Sequence, residues 1–105
     1  MICYVEAGQC GIEVIIKVVK KTNTTASIEV ETNCEYVKNL AKNLREIKVG
    51  EEFTLPIIKT KIYKTASKHL CRTSCVVPAA ILKALEVEFG IFPPTDISIK
   101  FLDKI

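Results

Sequence analysis

Two alternating segments separated by a short polar turn constrain this chain most. Ile12, Val14, Ile16 and Val18 fall on one face of the segment Ile12 to Lys20, with Glu13 and Lys17 on the other. Ser27 to Thr32 repeats the pattern, with Ile28 and Val30 inward and Glu29 and Glu31 outward. A period of two is the signature of a half-buried strand. Thr22-Asn23-Thr24-Thr25 between the segments reads as a turn. The pair therefore predicts an antiparallel hairpin with one wet face, which must find something apolar to cover its dry face.

The remaining segments supply that cover. Met1 to Glu6 reads as a short first strand, and Gly8-Gln9-Cys10-Gly11 as a turn. Tyr36, Val37, Leu40, Ala41, Leu44 and Ile47 recur at three- and four-residue steps, which predicts a first helix. Thr32 and Glu35 fit a capping box at its start, and Gly50 lies past its end. Phe53 to Ile58 reads as a strand, demoted to an edge by Pro56. Lys59 to Lys68 carries four lysines and little apolar period, and reads as a solvated loop or partly helical link. Pro78, Ile81, Leu82, Leu85, Phe89 and Gly90 mark a second helix with its N-terminal proline and C-terminal glycine. Ile97, Ile99 and Phe101 alternate in a last strand. The expected fold is α+β, a mostly antiparallel sheet with two main helices on one face. All 105 residues belong to one domain on this reading.

Composition excludes several functions. A net charge of +3 is too weak to argue for nucleic acid. The apolar runs are too short to span a bilayer, and no signal peptide is expected at the start. A cytoplasmic protein follows. Among four glycines there is no phosphate-binding pattern, and the single His has no obvious Ser and Asp companions for hydrolysis.

What stands out chemically is five cysteines and one histidine. An odd number of Cys disfavours a complete disulfide framework. Cys10 precedes one hairpin strand and Cys34 follows the other, so both are expected at one end of the hairpin. His69, Cys71 and Cys75 lie just before the second helix. Helix starts favour thiolates, through free amides and the positive end of the dipole. Cys10, Cys34 and two of His69, Cys71 and Cys75 would supply the four ligands that zinc or a [2Fe–2S] cluster requires. Cys3 lies outside this group and reads as a core residue. His69 reads equally as a ligand, a proton carrier or a loop histidine.

These residues resemble the iron–sulfur cluster assembly scaffolds of the IscU/NifU N-terminal type. Gln9-Cys10-Gly11 with the strand that follows, Ile28 to Cys34, and His69-Leu70-Cys71 ahead of Ala80-Ile81-Leu82-Lys83-Ala84-Leu85 match that family's three cysteine segments in order. The chain differs in carrying Ile12 where the scaffolds carry Asp, in separating His69 from Cys71 by Leu70, and in the additional Cys75. The resemblance implies an IscU/NifU-like fold and a non-enzymatic scaffold or carrier. Cys10, Cys34 and Cys71 would then hold the cluster, with His69 or Cys75 completing it. Its partners would be a cysteine desulfurase or a cluster-accepting apoprotein, and both a monomer and a homodimer fit. Two other readings stay open. One is a thiol redox protein using a helix-start cysteine; the other is a zinc-stabilised binding module without catalysis.

Overall fold

A computed structural model describes residues 1–54 and 56–104. The hairpin forms as its alternation requires. Strand β2 (Glu13–Lys20) pairs antiparallel with β3 (Thr25–Thr32), with Val14 opposite Thr32, Ile16 opposite Val30 and Val18 opposite Ile28. The turn is held by the Thr22 hydroxyl, which accepts the Thr24 and Thr25 amides at 3.2 and 3.1 Å. Strand β1 (Ile2–Glu6) adds to the free side of β2, and β4 (Glu46–Lys48) to that of β3. The sheet is thus a four-stranded antiparallel meander in the order β1-β2-β3-β4.

Only one face of this sheet is covered. Val14, Ile16, Val18, Ala26, Ile28 and Ile47 are buried beneath helices, while Ile2, Tyr4, Ile15, Lys17 and Glu29 stay exposed on the other face. Helix α1 (Glu35–Lys42) contributes Val37 and Leu40 to the core, and α4 (Val77–Glu88) contributes Val77, Ile81, Ala84 and Leu85. α4 lies across β1 and β2, and α1 lies across β3. The end of α4 is set by Gly90 at φ +74°, a left-handed conformation that glycine adopts freely. The Gly90 and Ile91 amides then close onto Val87 and Glu86 carbonyls, which satisfies two otherwise free helix-end acceptors.

The expected α+β fold is present, with several local corrections. The first helix stops at Lys42. Leu44 and Ile47 are buried, but Leu44 lies after the helix and Ile47 in β4. Thr32 does not cap the helix. Cys34 occupies that position, while the Thr32 hydroxyl donates to the Glu13 carbonyl and accepts the Cys34 amide. In place of an edge strand at 53–58, Phe53 ends up inside α2 (Val49–Thr54), and Ile57 and Ile58 form a 3-10 turn. Leu55, part of that expected strand, lies outside the described residues.

The lysine-rich stretch is a regular helix, α3 (Lys61–His69), with Ile62, Thr65 and Ala66 facing in. Thr and Ala carry too little hydrophobicity to advertise that face. Its start is secured from outside the segment. The buried Glu52 carboxylate accepts the Lys61 and Ile62 amides at 2.8 Å each, and the Thr60 hydroxyl accepts Tyr63. Finally, residues 96–102 form no strand. They leave α4 as an exposed segment without backbone pairing.

Two outcomes follow. Replacing Glu52 with Ala strands two helix-start amides, and chemical denaturation should show a loss of about 2–3 kcal/mol. Glu88 holds the Lys20 amide and the N-terminal ammonium, each at 2.9 Å. The Lys20 hydrogen bond first, and the ammonium second, lower its pKa from the ordinary 4.5. A lowered folded-state pKa stabilises fully above the unfolded value, and the contribution is lost as pH falls through the folded one. Thermal melts of the native chain should therefore weaken on acidification below pH 4.5. Glu88→Gln should be less stable at neutral pH and show a smaller acid-dependent loss.

Candidate thiol site

All five cysteines are free thiols. Four approach the end of the hairpin where β2 begins and β3 finishes. Cys10 closes a short 3-10 turn, Gly8–Cys10, and is exposed. Gly11 follows at φ +66°, where a side chain would be strained, and its amide returns to Gly8 at 2.9 Å. The Ala7 amide reaches the Ile12 carbonyl at 3.1 Å, so the Cys10 turn is a closed loop rather than a free tail.

Cys34 is fixed by β3. The Val14–Thr32 register brings the two strand ends together, and the Thr32 hydroxyl clamps Glu13 to Cys34 through bonds of 2.9 and 3.2 Å. The thiol is half-buried against the core at the start of α1. Cys75 is also half-buried against the core, two residues before α4. Cys71 is exposed in the irregular segment between α3 and α4. A cleft of about 330 Å³ lies beside these two, lined also by Arg72, Leu70, Tyr63 and Pro78. A shallower concavity of about 480 Å³ lies along the strand ends, with Gly11, Glu13 and Asn33 in its wall.

Electrostatics ties the four sulfurs together. Burial pushes the Cys75 thiol up, and the Val77 amide partly offsets this by donating to the sulfur. Negative charge on Cys34, Cys10 and Cys71 pushes it up further. Cys75 therefore shares one neighbourhood with the other three cysteines. They remain separated: among the described residues, no group of three or more His, Cys, Asp or Glu side chains is placed to hold a metal ion.

Cys3 and His69 stand elsewhere. Cys3 faces Ile16 across β1 and β2, and packs on the core. Its thiol is raised by burial and then by the Asp96 carboxylate. His69 ends α3, with Nε2 3.3 Å from Asn43 Nδ2. The same amide nitrogen also donates to the Asn39 carbonyl at 2.8 Å. Asn43 terminates α1, whereas Cys34 starts it. About 12 Å of helix separates those ends, from eight residues at 1.5 Å each. The structure thus brings Cys10, Cys34 and Cys71 within electrostatic reach of Cys75, and hydrogen-bonds His69, two residues before Cys71, to Asn43 at the end of α1.

Arg72 went unread in the sequence, although a permanent cation between two cysteines is a legible signal. In the cleft it sits beside both of them.

Among the described residues, no helix is long and apolar enough to cross a membrane. No curated protein and no solved structure matches the chain. Residues 1–101 match a family described as "Family of unknown function (DUF6951)", and the chain belongs to that family.

Proposed function

We propose that this protein is a small cytoplasmic scaffold or carrier that binds zinc or a [2Fe–2S] cluster through Cys10, Cys34, Cys71 and Cys75. The observation that carries this reading is the convergence of four free thiols from three separate segments, close enough for their charges to interact. A thiolate at Cys75 is disfavoured both by burial and by negative charge on its three neighbours. A soft divalent ion or an iron–sulfur cluster reverses that penalty, because thiolate is the ligating form. Cys34 and Cys75, packed against the core, form the fixed half of the site. Cys10 and Cys71, on an exposed turn and an irregular segment, close onto it when metal binds. The resemblance to the IscU/NifU scaffolds supports the cluster over zinc, and a desulfurase or an apoprotein acceptor as partner. His69 stays outside the ligand set on this reading.

Anaerobically purified protein should contain either about one zinc per chain or iron with acid-labile sulfide and visible absorption. Cys34→Ala and Cys75→Ala should abolish metal retention, while Cys3→Ala and His69→Ala should keep it. Metal-free protein that takes up neither zinc nor a cluster on reconstitution would sink the proposal. Retention lost in His69→Ala but kept in Cys75→Ala would move the fourth ligand to the histidine.

Binding must also release protons, since the Cys75 thiol is raised above its ordinary value and stays protonated near neutrality. Zinc affinity should therefore rise steadily with pH through the neutral range. Competition titrations with a chromophoric chelator at several pH values test this, and a flat profile would argue against thiol ligands.

The same convergence favours a second reading, thiol redox exchange, in which Cys34 attacks from its helix start and a neighbouring Cys resolves. Mass spectrometry after mild oxidation would show an intramolecular disulfide among the four under this reading. The raised Cys75 thiol makes it the poorer attacker of the group.

A further inference from the structure

The outer edge of β1 is unprotected. Met1 and Val18 exchange backbone hydrogen bonds, the Val18 amide at 2.9 Å and the Met1 amine at 2.8 Å. Antiparallel pairing alternates from there. Met1, Cys3 and Val5 point their backbone groups toward β2, and Ile2, Tyr4 and Glu6 point theirs away from the sheet. β1 lies at the end of the strand order, so those groups face open space. The strand Ile2-Cys3-Tyr4-Val5-Glu6 has no Pro, Lys or bulge of the kind that normally blunts an edge.

The same chain carries an unpaired strand sequence. Ile97, Ile99 and Phe101 alternate with Ser98 and Lys100 beyond Pro93-Pro94. Ile97 is 65% exposed, Ile99 73% and Phe101 98%, so the segment does not lie on its own sheet. Three large apolar side chains on one side of an extended segment are out of place in water. The proline pair keeps the exit from α4 from continuing as helix. Yet the segment leaves α4 beside the start of β1, because Glu88 at the end of that helix holds the Met1 ammonium at 2.9 Å.

We propose that two copies of this chain form a dimer by strand exchange, residues 96–102 of each adding to the free edge of β1 in the other. A tail that leaves its helix beside its own β1 starts equally close to a partner edge facing it across a two-fold axis. Reciprocal exchange uses up both free edges and closes the assembly at two copies. In the register that continues the core, Ile97, Ile99 and Phe101 lie on the side of Cys3 and Val5. Lys100 then lies on the outer face, which carries Glu6 and Glu13.

The test is the solution mass of the full-length chain by sedimentation equilibrium, in reductant so that disulfides do not link copies. The native chain should be dimeric. Ile99→Lys combined with Phe101→Lys should be monomeric with an unchanged far-UV spectrum, since both side chains are exposed within the single chain. Tyr4→Pro removes an outward amide without cutting a bond to β2, and should also be monomeric. Amide exchange should show Ser98 and Lys100, whose amides face β1 in this register, protected in the native dimer and unprotected in the tail variant. A monomeric native chain overturns the proposal. So does a dimer that survives the tail substitutions, whether bridged by metal or by another face. Protected tail amides in a monomer would place the tail on its own β1 and overturn it too. If Tyr4→Pro fails to fold, the tail variant decides alone.

Discussion

The pairing of β2 with β3 is the constraint on which the rest depends. It sets Val14, Ile16 and Val18 in one plane with Ala26 and Ile28, all at or near zero exposure. Burying a side chain of this size contributes about 1.5–3 kcal/mol, and it requires a second layer. The helices supply it, and each meets the sheet through its own apolar stripe. α4 covers β1 and β2, α1 covers β3, and α3 closes the side by touching α1 and α4. A one-residue slip of β3 against β2 would turn Glu29 and Glu31 into the core.

The same register does chemical work at its open end. With Val14 opposite Thr32, the chain leaves the sheet at two adjacent points, one toward Cys10 and one toward Cys34. The Thr32 hydroxyl then joins Glu13 to Cys34. The threonine whose spacing suggests a helix cap instead ties the two strand ends together. The hairpin thus determines the position of half the thiol site. The other half comes from the segment ahead of α4, anchored by Val77 and Pro78 in the core.

Much of this was legible in the sequence, and the limits have physical causes. Strict alternation in 12–20 and 27–32 identified the hairpin because a period of two has few competitors over eight residues. The α4 stripe was legible for the same reason, with Pro78 and Gly90 at its ends. The helical period over 36–47 overran, since Leu44 and Ile47 are buried by a turn and a strand that happen to continue the spacing. α3 was hidden because its inward residues include Thr65 and Ala66, and because its capping carboxylate, Glu52, lies nine residues upstream. Ile97 to Phe101 has the alternation of a strand, but alternation says nothing of whether a partner edge is present in the same chain. For the site, the shared end of Cys10 and Cys34 followed from the hairpin. The pairing of His69 with Asn43 did not, since it depends on which end of α1 meets α3, a matter of packing rather than spacing.

The choice between histidine and thiolate bears on how a cation would be held on the proposed reading. A histidine ligand brings no charge, whereas four thiolates bring four negative charges into a half-buried corner. On the proposed reading a cation among the sulfurs would stabilise the ligating thiolate form there. The two packed sulfurs lose little freedom on binding, because Cys34 and Cys75 are already ordered against the core. The ordering cost falls on the Cys10 turn and the segment around Cys71. It is limited at Cys10, where the Gly11 and Ala7 amides already close the loop. Arg72, between the two downstream cysteines, adds a fixed positive charge to the same cleft. On the proposed reading, that charge would favour the net-negative complex that four sulfurs form around a divalent ion.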